Sequence, residues 1–298
     1  MALSIRYGTT EKYIDITSVC FTTCYFHPFI SIPAGEHARA ARFTDPHYGS
    51  LKSIFISVDG INFNTYDHSC RVKINVETYE ITQITMNDAN ERLKKIHSQL
   101  NLAHGSFYDE YPEQVFACHY LTGKEKVLEI GANIGRNTLV IASILENHAN
   151  FVTMECEPTI VQQLTENRDR NGFTFHIEPS ALSRRKLTQS GWDTTVVEHV
   201  TADMKLVPTI TLEELRAKYP IAFDTLILDC EGAFYYILQD MPSILDGINL
   251  IIMENDYWNL SKKQAIDAIL REHGFYVDYG EDGGWGPCMP FFYEAWKR

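Results

Sequence analysis

The chain has 298 residues, 45% hydrophobic and 22% charged, and its 26 basic and 39 acidic side chains give a formal net charge of −13. These values are ordinary for one large or two smaller globular domains, and they exclude disordered, collagenous and coiled-coil proteins. An acidic chain without a basic stripe is also a poor partner for nucleic acid.

Three absences from the sequence bear on where the protein works. It has no apolar run long enough to span a bilayer, no apolar core of a secretory signal near its start, and no Cys-x-x-Cys pair among its 7 cysteines. We therefore expect a reduced, cytoplasmic protein that does not insert into membranes.

Residues 1–86 have the pattern of a small all-β module. Apolar and polar side chains alternate over residues 71–77, and Asp59-Gly60 after an apolar run is typical of a tight hairpin turn. Further short strands are expected around Phe21 and over residues 29–32. We predict a β-sandwich-like module, which would bind glycan or form a homodimer contact; the sequence leaves both roles open.

Two helices are predicted next, and they form a helical seam. The first follows the capping residues Asn87 to Asn90 and carries apolar side chains at helical spacing as far as Gly105. The second covers residues 112–121. We assign this seam to the second domain, residues 87–298.

From residue 126 onward, short apolar runs alternate with helical patterns, which is typical of a parallel sheet covered by helices on both faces. We predict an α/β fold with a Rossmann-like sheet of seven strands, the last two following one late helix. The expected strands are 127–130, 151–155, 173–177, 225–229, 249–254, 275–279 and 291–296. The expected helices between them include 159–171, 211–219 and 262–273.

A glycine turn follows the first of these strands. Gly131 and Gly135 let the backbone turn sharply and allow a ligand to approach the main chain. The second strand ends in Glu155, which is placed to accept hydrogen bonds from two ribose hydroxyls. A glycine turn and an acid at neighbouring strand ends predict a nucleoside site, whereas the turn alone would also suit a purely structural domain.

The spacing of the turn bears on which nucleoside binds. A dinucleotide site favours G-x-G-x-x-G, which cradles a pyrophosphate, but here Asn133 lies between the glycines and Thr138 replaces the third small residue. S-adenosylmethionine has no phosphate, and Glu129 and Asn133 offer a carboxylate and an amide to its amino-acid end. The turn therefore favours S-adenosylmethionine over a dinucleotide.

Five motifs in the same part of the chain resemble those of FkbM-type S-adenosylmethionine-dependent methyltransferases, in order and at consistent spacing over about residues 105–298. They are Glu-Ile-Gly-Ala-Asn-Ile-Gly-Arg-Asn (129–137), Glu155 with Pro158, Ser-Ala-Leu-Ser (180–183), Thr-Leu-Glu-Glu-Leu (211–215) and Leu-Asp-Cys-Glu-Gly (228–232). The sequence departs from the family at Phe234, where an acid is usual. It is also similar to glycan-modifying methyltransferases of large DNA viruses, a resemblance that implies the host cytoplasm.

The resemblance implies a seven-stranded methyltransferase sheet and transfer of a methyl group to a sugar hydroxyl. The acceptor would be a carbohydrate, a deoxysugar of a glycan such as rhamnose. The implied cofactor-binding residues are Glu129, Gly131, Asn133, Gly135, Asn137, Glu155, Cys156, Ser180, Ala181 and Leu182.

Carboxylates at the ends of the fourth and fifth strands are the catalytic candidates. A sugar hydroxyl is a weak acid, so a base or a cation must help to remove its proton. Asp229 and Glu254 lie at these strand ends, where open α/β sheets carry out chemistry. Two versions stay open: Asp229 as a direct base, or Asp229, Glu254 and Asp256 as oxygen ligands of Mg²⁺ or Mn²⁺. Helix capping is the structural alternative.

Four residues are candidates for acceptor contacts. Tyr108 and Glu113 lie in an aromatic segment before the first strand, and Glu231 follows Asp229 closely. Trp285 lies in a glycine-rich loop, where its indole face could stack on the apolar face of a sugar. Ordinary core packing is the alternative for the aromatic side chains.

Two other functions remain open. A nicotinamide-dependent sugar oxidoreductase could use the same kind of sheet, but its Tyr-x-x-x-Lys pair is missing after the fourth strand. A non-catalytic glycan-binding protein with a nucleoside-binding domain would bind ligand without turnover.

Overall fold

The structure is a computed structural model that describes residues 3–190, 193–197 and 205–298. The strands are β1 (Ser4–Gly8), β2 (Tyr13–Asp15), β3 (Tyr25–Phe26), β4 (Phe29–Ile32), β5 (Ser53–Ser57), β6 (Asn64–Tyr66), β7 (Arg71–Asn75), β8 (Ile81–Ile84), β9 (Val127–Ile130), β10 (Phe151–Met154), β11 (His176–Glu178), β12 (Ala181–Leu182), β13 (Leu187–Ser190), β14 (Asp193–Val196), β15 (Leu206–Val207), β16 (Thr209–Ile210), β17 (Thr225–Leu228), β18 (Leu250–Glu254), β19 (Tyr276–Glu281) and β20 (Tyr293–Lys297). The α-helices are α1 (Thr17–Thr23), α2 (Glu36–Phe43), α3 (Asn87–His97), α4 (Tyr111–Tyr120), α5 (Arg136–Ile144), α6 (Pro158–Arg170), α7 (Leu212–Lys218), α8 (Phe234–Asp240) and α9 (Leu260–Glu272).

The central sheet has seven strands in the order β11-β10-β9-β17-β18-β20-β19. Strands β9, β10, β11, β17 and β18 run parallel, and β20 is antiparallel to both of its neighbours. All four residues of β9, β10 and β17 are buried, because helices cover both faces of a parallel sheet. The predicted α/β, Rossmann-like fold class with seven strands is confirmed.

The order of the strands reverses between β9 and β17, since the chain builds β10 and β11 on one side of β9 and then crosses to the other. At such a switch point the carboxyl ends of the two central strands open a crevice, which is where open α/β sheets bind ligands. The fold therefore brings the residues after β9, β10, β17 and β18 together.

Residues 4–84 form two four-stranded antiparallel sheets, in the orders β2-β1-β5-β6 and β3-β4-β7-β8. They share a core that includes Ile5, Ile30, Ile54 and Ile74. The strand expected at Phe21 is wrong: this residue lies in α1. Its neighbours Ile16, Cys20 and Cys24 are buried at intervals of four residues, which is the helical period.

Polar contacts join this N-terminal region to the edge of the central sheet. Lys73 on β7 pairs with Asp278 on β19 at 2.5 Å, and Tyr120 at the end of α4 donates to the other oxygen of Asp278 at 2.9 Å. Arg71, also on β7, donates to the carbonyl of Gly280 and lies over the ring of Tyr279. The module therefore meets the sheet at its edge strand, far along the strand order from the switch point.

The predicted boundaries differ from the structure mainly where a helix or strand ends. Helix α3 ends at His97 and not near Gly105, and β11 begins at His176 and not at Phe173. Strand β6 begins at Asn64, because Asp59 accepts hydrogen bonds from the backbone of Ile61 and holds a wider loop than a two-residue turn. In the described part of the chain, no helix has the length and apolar character needed to cross a bilayer.

Candidate active site

The turn after β9 ties three strands together at the switch point. Gly131 has a φ of 94°, and a Cβ there would overlap the backbone carbonyl of Asp229 at the end of β17. The amides of Gly131 and Ala132 both donate to the carbonyl of Met154 on β10, at 3.1 and 3.0 Å. Only glycine fits this conformation and this close approach, so the turn can lie directly against the neighbouring strand ends.

A cavity of about 550 Å³ opens beside this turn, and we call it the cofactor cavity. Its walls include apolar side chains such as Met154 and Leu182. Its charged lining residues, among those that the structure describes, are all acidic, and no lysine, arginine or histidine is among them. They are Glu155, Glu157, Asp229 and Glu231.

Seven of the ten residues predicted to bind the cofactor line this cavity, namely Glu155 and six others. The structure thus brings most of that set together. Five come from the glycine turn and from the segment around β12, and Cys156 follows Glu155. The six are Gly131, Asn133, Cys156, Ser180, Ala181 and Leu182.

Glu155 lies where β10 ends, and its carboxylate is held by backbone amides. One oxygen accepts from the amides of Cys156 and Glu157 at 2.7 and 2.9 Å, and the other accepts from the amide of Asn133 at 3.1 Å. Burial raises the pKa of Glu155 above its ordinary value, although these amides oppose the shift. The carboxylate therefore bridges the turn after β9 and the end of β10, and it faces the cavity. Glu157 is used differently, because its side chain caps α6.

Three predicted cofactor residues do not line the cofactor cavity. Gly135 has a φ of 92° and begins α5. Glu129 is buried and accepts from the hydroxyls of Thr138 and Thr153 at 2.7 and 2.6 Å. Burial raises its pKa to about 7. The sequence placed Glu129 at the ligand, but its position within β9 turns its side chain toward these two threonines.

A second, much smaller cavity lies behind the glycine turn. Glu129 and Asn137 line it, together with Glu110, Glu113 and Asp229. Asn137 is buried, and its Oδ1 has no hydrogen-bond partner among the described residues. Asn137 thus lines the smaller, polar cavity and not the cofactor cavity.

Three carboxylates meet at the carboxyl ends of β17 and β18, and we call them the acid cluster. They are Glu113, Asp229 and Glu254, whose nearest oxygens all lie within 4.8 Å of one another. Burial raises the pKa of Asp229 well above its ordinary value, and the nearby charge of Glu113 adds to this. Burial, with Glu113 close by, also raises the pKa of Glu254. Such a cluster can accept a proton or hold a cation.

The acid cluster differs from the predicted metal set in one member. The sequence predicted Asp229, Glu254 and Asp256, but Asp256 is not in the cluster, and Glu113 takes its place. Glu113 lies in the first turn of α4, which is buried along most of its length and packs against β18. Asp256 lies two residues beyond the end of β18 at Glu254, and its oxygens are not among those that lie within 4.8 Å of one another.

The side chain of Asp256 lines a groove that continues from the cofactor cavity, and we call it the aromatic groove. It has a volume of about 560 Å³. Asp256 lies beside Glu231 there, and burial together with Glu231 raises the pKa of Asp256 to about 8. Trp285, predicted to contact the acceptor, also lines the groove, and so does Trp258, which sequence reasoning missed.

Tyr108 lies outside all of these spaces. It is 91% exposed, and it lines neither the cofactor cavity, nor the small cavity, nor the aromatic groove. The segment contributes Glu110 instead, which sequence reasoning did not single out. Glu110 accepts from Arg136 at 2.6 Å and from the side chain of Asn133 at 3.1 Å. Glu110 therefore helps to position the glycine turn. In the sequence, its spacing of three residues from Glu113 is what would place the two side chains on the same side of a helix.

No protein-family model matches the chain, and no curated protein sequence matches it. Solved structures that are similar to it include the O-methyltransferase from Bacillus cereus in complex with SAH, at 14% identity and a TM-score of 0.41, covering 71% of this chain and 90% of that one. A protein of the NADB-Rossmann superfamily from Streptococcus agalactiae has 11% identity and a TM-score of 0.40, covering 62% and 67%. Precorrin 8W decarboxylase from Methanobacterium thermoautotrophicum has 15% identity and a TM-score of 0.39, covering 67% and 97%. At these values the neighbours do not define the activity of this chain.

Proposed function

We propose that the chain is an S-adenosylmethionine-dependent O-methyltransferase. The charge of the cofactor cavity carries this proposal, since its described lining has four carboxylates and no cationic side chain. A dinucleotide would bring a pyrophosphate into this field and be repelled. S-adenosylmethionine bears a sulfonium cation and no phosphate, so the same carboxylates attract it.

The residues of the cofactor cavity fit the parts of S-adenosylmethionine. Glu155 would accept hydrogen bonds from the ribose hydroxyls, because its carboxylate faces the cavity and is fixed by three amides. Met154 and Leu182 offer apolar walls for the adenine ring. When bound, S-adenosylmethionine supplies an electrophilic methyl group. The backbone at Gly131 lies against Asp229, and Asn133 lines the same cavity.

The acid cluster would receive the proton of the acceptor hydroxyl. Asp229 belongs both to this cluster and to the lining of the cofactor cavity, so it lies where the acceptor oxygen and the cofactor must meet. In its ionised form, a carboxylate whose pKa is raised is a stronger base than an ordinary one. No described helix uses the side chain of Asp229 as a cap, since α8 begins without a side-chain cap.

A second role for the acid cluster is to hold a divalent cation. Glu113, Asp229 and Glu254 provide the hard oxygen ligands that Mg²⁺ and Mn²⁺ prefer, and one oxygen of Glu113 is buried without a hydrogen-bond partner. A bound cation would supply positive charge beside the acceptor hydroxyl. Titration of the protein with Mn²⁺, followed by electron paramagnetic resonance, separates the two roles. Binding that is lost in Glu113→Gln supports the cation, and free Mn²⁺ throughout the titration leaves the cluster as the proton acceptor.

The finer assignment rests on the sequence motifs. We propose a sugar hydroxyl as the acceptor, within a glycan, because five motifs resemble FkbM-type methyltransferases and glycan-modifying methyltransferases of large DNA viruses. The acidic character of the crevice supports this, since a neutral sugar meets no repulsion there whereas a polyanionic acceptor does.

A methyl-transfer assay tests the proposed function. The protein is incubated with S-adenosylmethionine that carries a labelled methyl group and with a set of neutral methyl glycosides, including a rhamnoside. We expect labelled methyl ether in a glycoside, with SAH formed in equal amount. If SAH binds but no label reaches any glycoside, the proposal of a sugar O-methyltransferase is contradicted.

A further inference from the structure

The aromatic groove adjoins the cofactor cavity, and no residue of the glycine turn lines it. It shares Leu182, Glu231 and Ile237 with the cofactor cavity. Glu231, two residues after Asp229, belongs to both linings, so a molecule bound in the groove would lie beside the cofactor cavity. Three features of the groove indicate what kind of molecule would bind there.

The first feature is a pair of indole rings. The ring centroids of Trp258 and Trp285 lie 4.2 Å apart, and both side chains line the groove. Trp258 is nevertheless 78% exposed and Trp285 39% exposed. An indole face that is left open to water is costly, and it is stabilised by a flat apolar partner. The C–H face of a sugar ring is such a partner.

The second feature is a buried oxygen without a hydrogen bond. Asp256 is 7% exposed, and its Oδ2 receives no hydrogen bond from any described donor. A buried polar atom of this kind calls for a partner that is absent from the chain itself. Because Asp256 lines the groove beside Glu231, a ligand with hydroxyl groups could donate to it.

The third feature is that the cations of the groove already have partners. Arg185 makes two hydrogen bonds to Asp240, at 2.5 and 2.6 Å. Lys262 donates to the hydroxyl of Tyr236 at 3.0 Å and lies over the same ring. The partner of Lys262 is neutral, but Glu231, Asp240 and Asp256 still outnumber Arg185 and Lys262 in the described lining, so the groove as a whole repels a phosphate or diphosphate.

Resting on the proposed function, we propose that the aromatic groove binds the methyl acceptor as a neutral saccharide, with a sugar ring on Trp258 and Trp285 and hydroxyl groups donating to Asp256. Hexose phosphates and nucleotide-linked sugars should bind there more weakly, because acids outnumber bases in the described lining. The acceptor would then be a sugar already joined to other neutral sugars, so the reaction that supplies it is glycosyl transfer and not sugar activation.

Saturation-transfer NMR tests this with defined probes. The protein, saturated with SAH, is mixed with the methyl glycosides of rhamnose, fucose, xylose, glucose and galactose, and separately with dTDP-rhamnose and UDP-glucose. We expect at least one methyl glycoside to bind, with its largest signals from ring C–H protons, and to bind more tightly than either nucleotide sugar. Binding of none of the five glycosides, or tighter binding of a nucleotide sugar, would overturn the proposal.

Four variants make the test specific. Trp258→Ala should raise the Kd of the bound glycoside about tenfold, and Trp258→Phe should restore part of it. Tyr48→Ala removes an exposed aromatic ring from the N-terminal module and should change nothing. Unchanged glycoside affinity in Trp258→Ala and in Asp256→Asn would contradict the assignment of the groove. The affinity for SAH, measured on the same samples by calorimetry, should not change in Trp258→Ala. Loss of glycoside binding with normal SAH binding therefore concerns the groove alone, whereas loss of SAH binding concerns the cofactor site.

Discussion

Two aspartates of this chain, the buried Asp278 and the half-buried Asp229, have opposite surroundings. Asp278, where the N-terminal module meets the sheet, pairs with Lys73 at 2.5 Å and with Lys297 at 3.5 Å. Burial alone would raise its pKa, but the hydrogen bond from Lys73 and the charges of both lysines bring the pKa below its ordinary value. Asp229, in the crevice, has other acids near it and pairs with none of the described cations, and burial raises its pKa.

The difference separates a structural contact from a site. At Asp278 the fold provides a countercharge for a buried charge, which is what stability requires. At Asp229 the fold gathers Glu113 and Glu254 around a half-buried carboxylate and leaves the cluster without a lysine or arginine among the described residues. Uncompensated acids lower stability, so their presence at a sheet's switch point indicates function.

The largest expected effect comes from neutralising the crevice aspartate. Asp229→Asn should lower the rate of methyl transfer about a thousandfold, because it removes the proposed proton acceptor and a cation ligand together. The SAH dissociation constant should change far less, and a labelled-methyl assay beside calorimetry measures both.

The matched control for that variant is Asp246→Asn, which changes an exposed aspartate outside the crevice. It should have normal turnover. Near-normal turnover in Asp229→Asn itself would contradict both the base and the cation role.

At the module contact, the effect should be on stability. Asp278→Asn leaves Lys73 largely buried without its carboxylate, which should lower the free energy of unfolding by about 3 kcal/mol at neutral pH. The folded-state pKa of Asp278 is lowered, so its contribution is present above the ordinary carboxyl pKa and is lost as the pH falls through the folded value. Urea unfolding at neutral and at acidic pH checks this, and an equal loss at both values would disagree with it.

In the acid cluster, replacing a carboxylate with a neutral side chain should raise stability, whereas the same change at Asp278 lowers it. The folded-state pKa of Glu254 is raised, so the contribution of its protonated form is fully present below the ordinary carboxyl pKa and is lost as the pH rises toward the raised value. Glu254→Gln should therefore raise the melting temperature by about 3 °C at neutral pH in the presence of a chelator. Near pH 4 the variant and the parent should melt alike. A lower melting temperature at neutral pH would show that Glu254 has a stabilising partner.

Much of the fold and part of the candidate site could be predicted from the sequence, for a topological reason. The alternation of strands and helices requires a parallel sheet, and parallel strands end at the same edge. Asp229, Glu254 and Glu155 were therefore expected near one another, and the structure places them around one crevice.

The rest depends on packing that no local pattern contains. Glu113 reaches the cluster because of how α4 packs against β18, and Trp258 meets Trp285 through two separate loops. Glu129 was expected at the ligand but hydrogen-bonds two threonines. Nothing in the local sequence indicates that Arg39 is buried and donates to the carbonyls of Pro33 and Cys70, at 2.8 and 2.7 Å.

The central claim is that the acidic lining of the cofactor cavity selects S-adenosylmethionine over a dinucleotide. Calorimetric titration of one protein sample with SAH and, separately, with NAD⁺ tests it most directly. We predict that SAH binds with a dissociation constant in the micromolar range or below, that Glu155→Ala weakens it at least tenfold, and that NAD⁺ gives no binding heat. No binding of SAH at millimolar concentration, or binding of NAD⁺ in its place, would contradict the account.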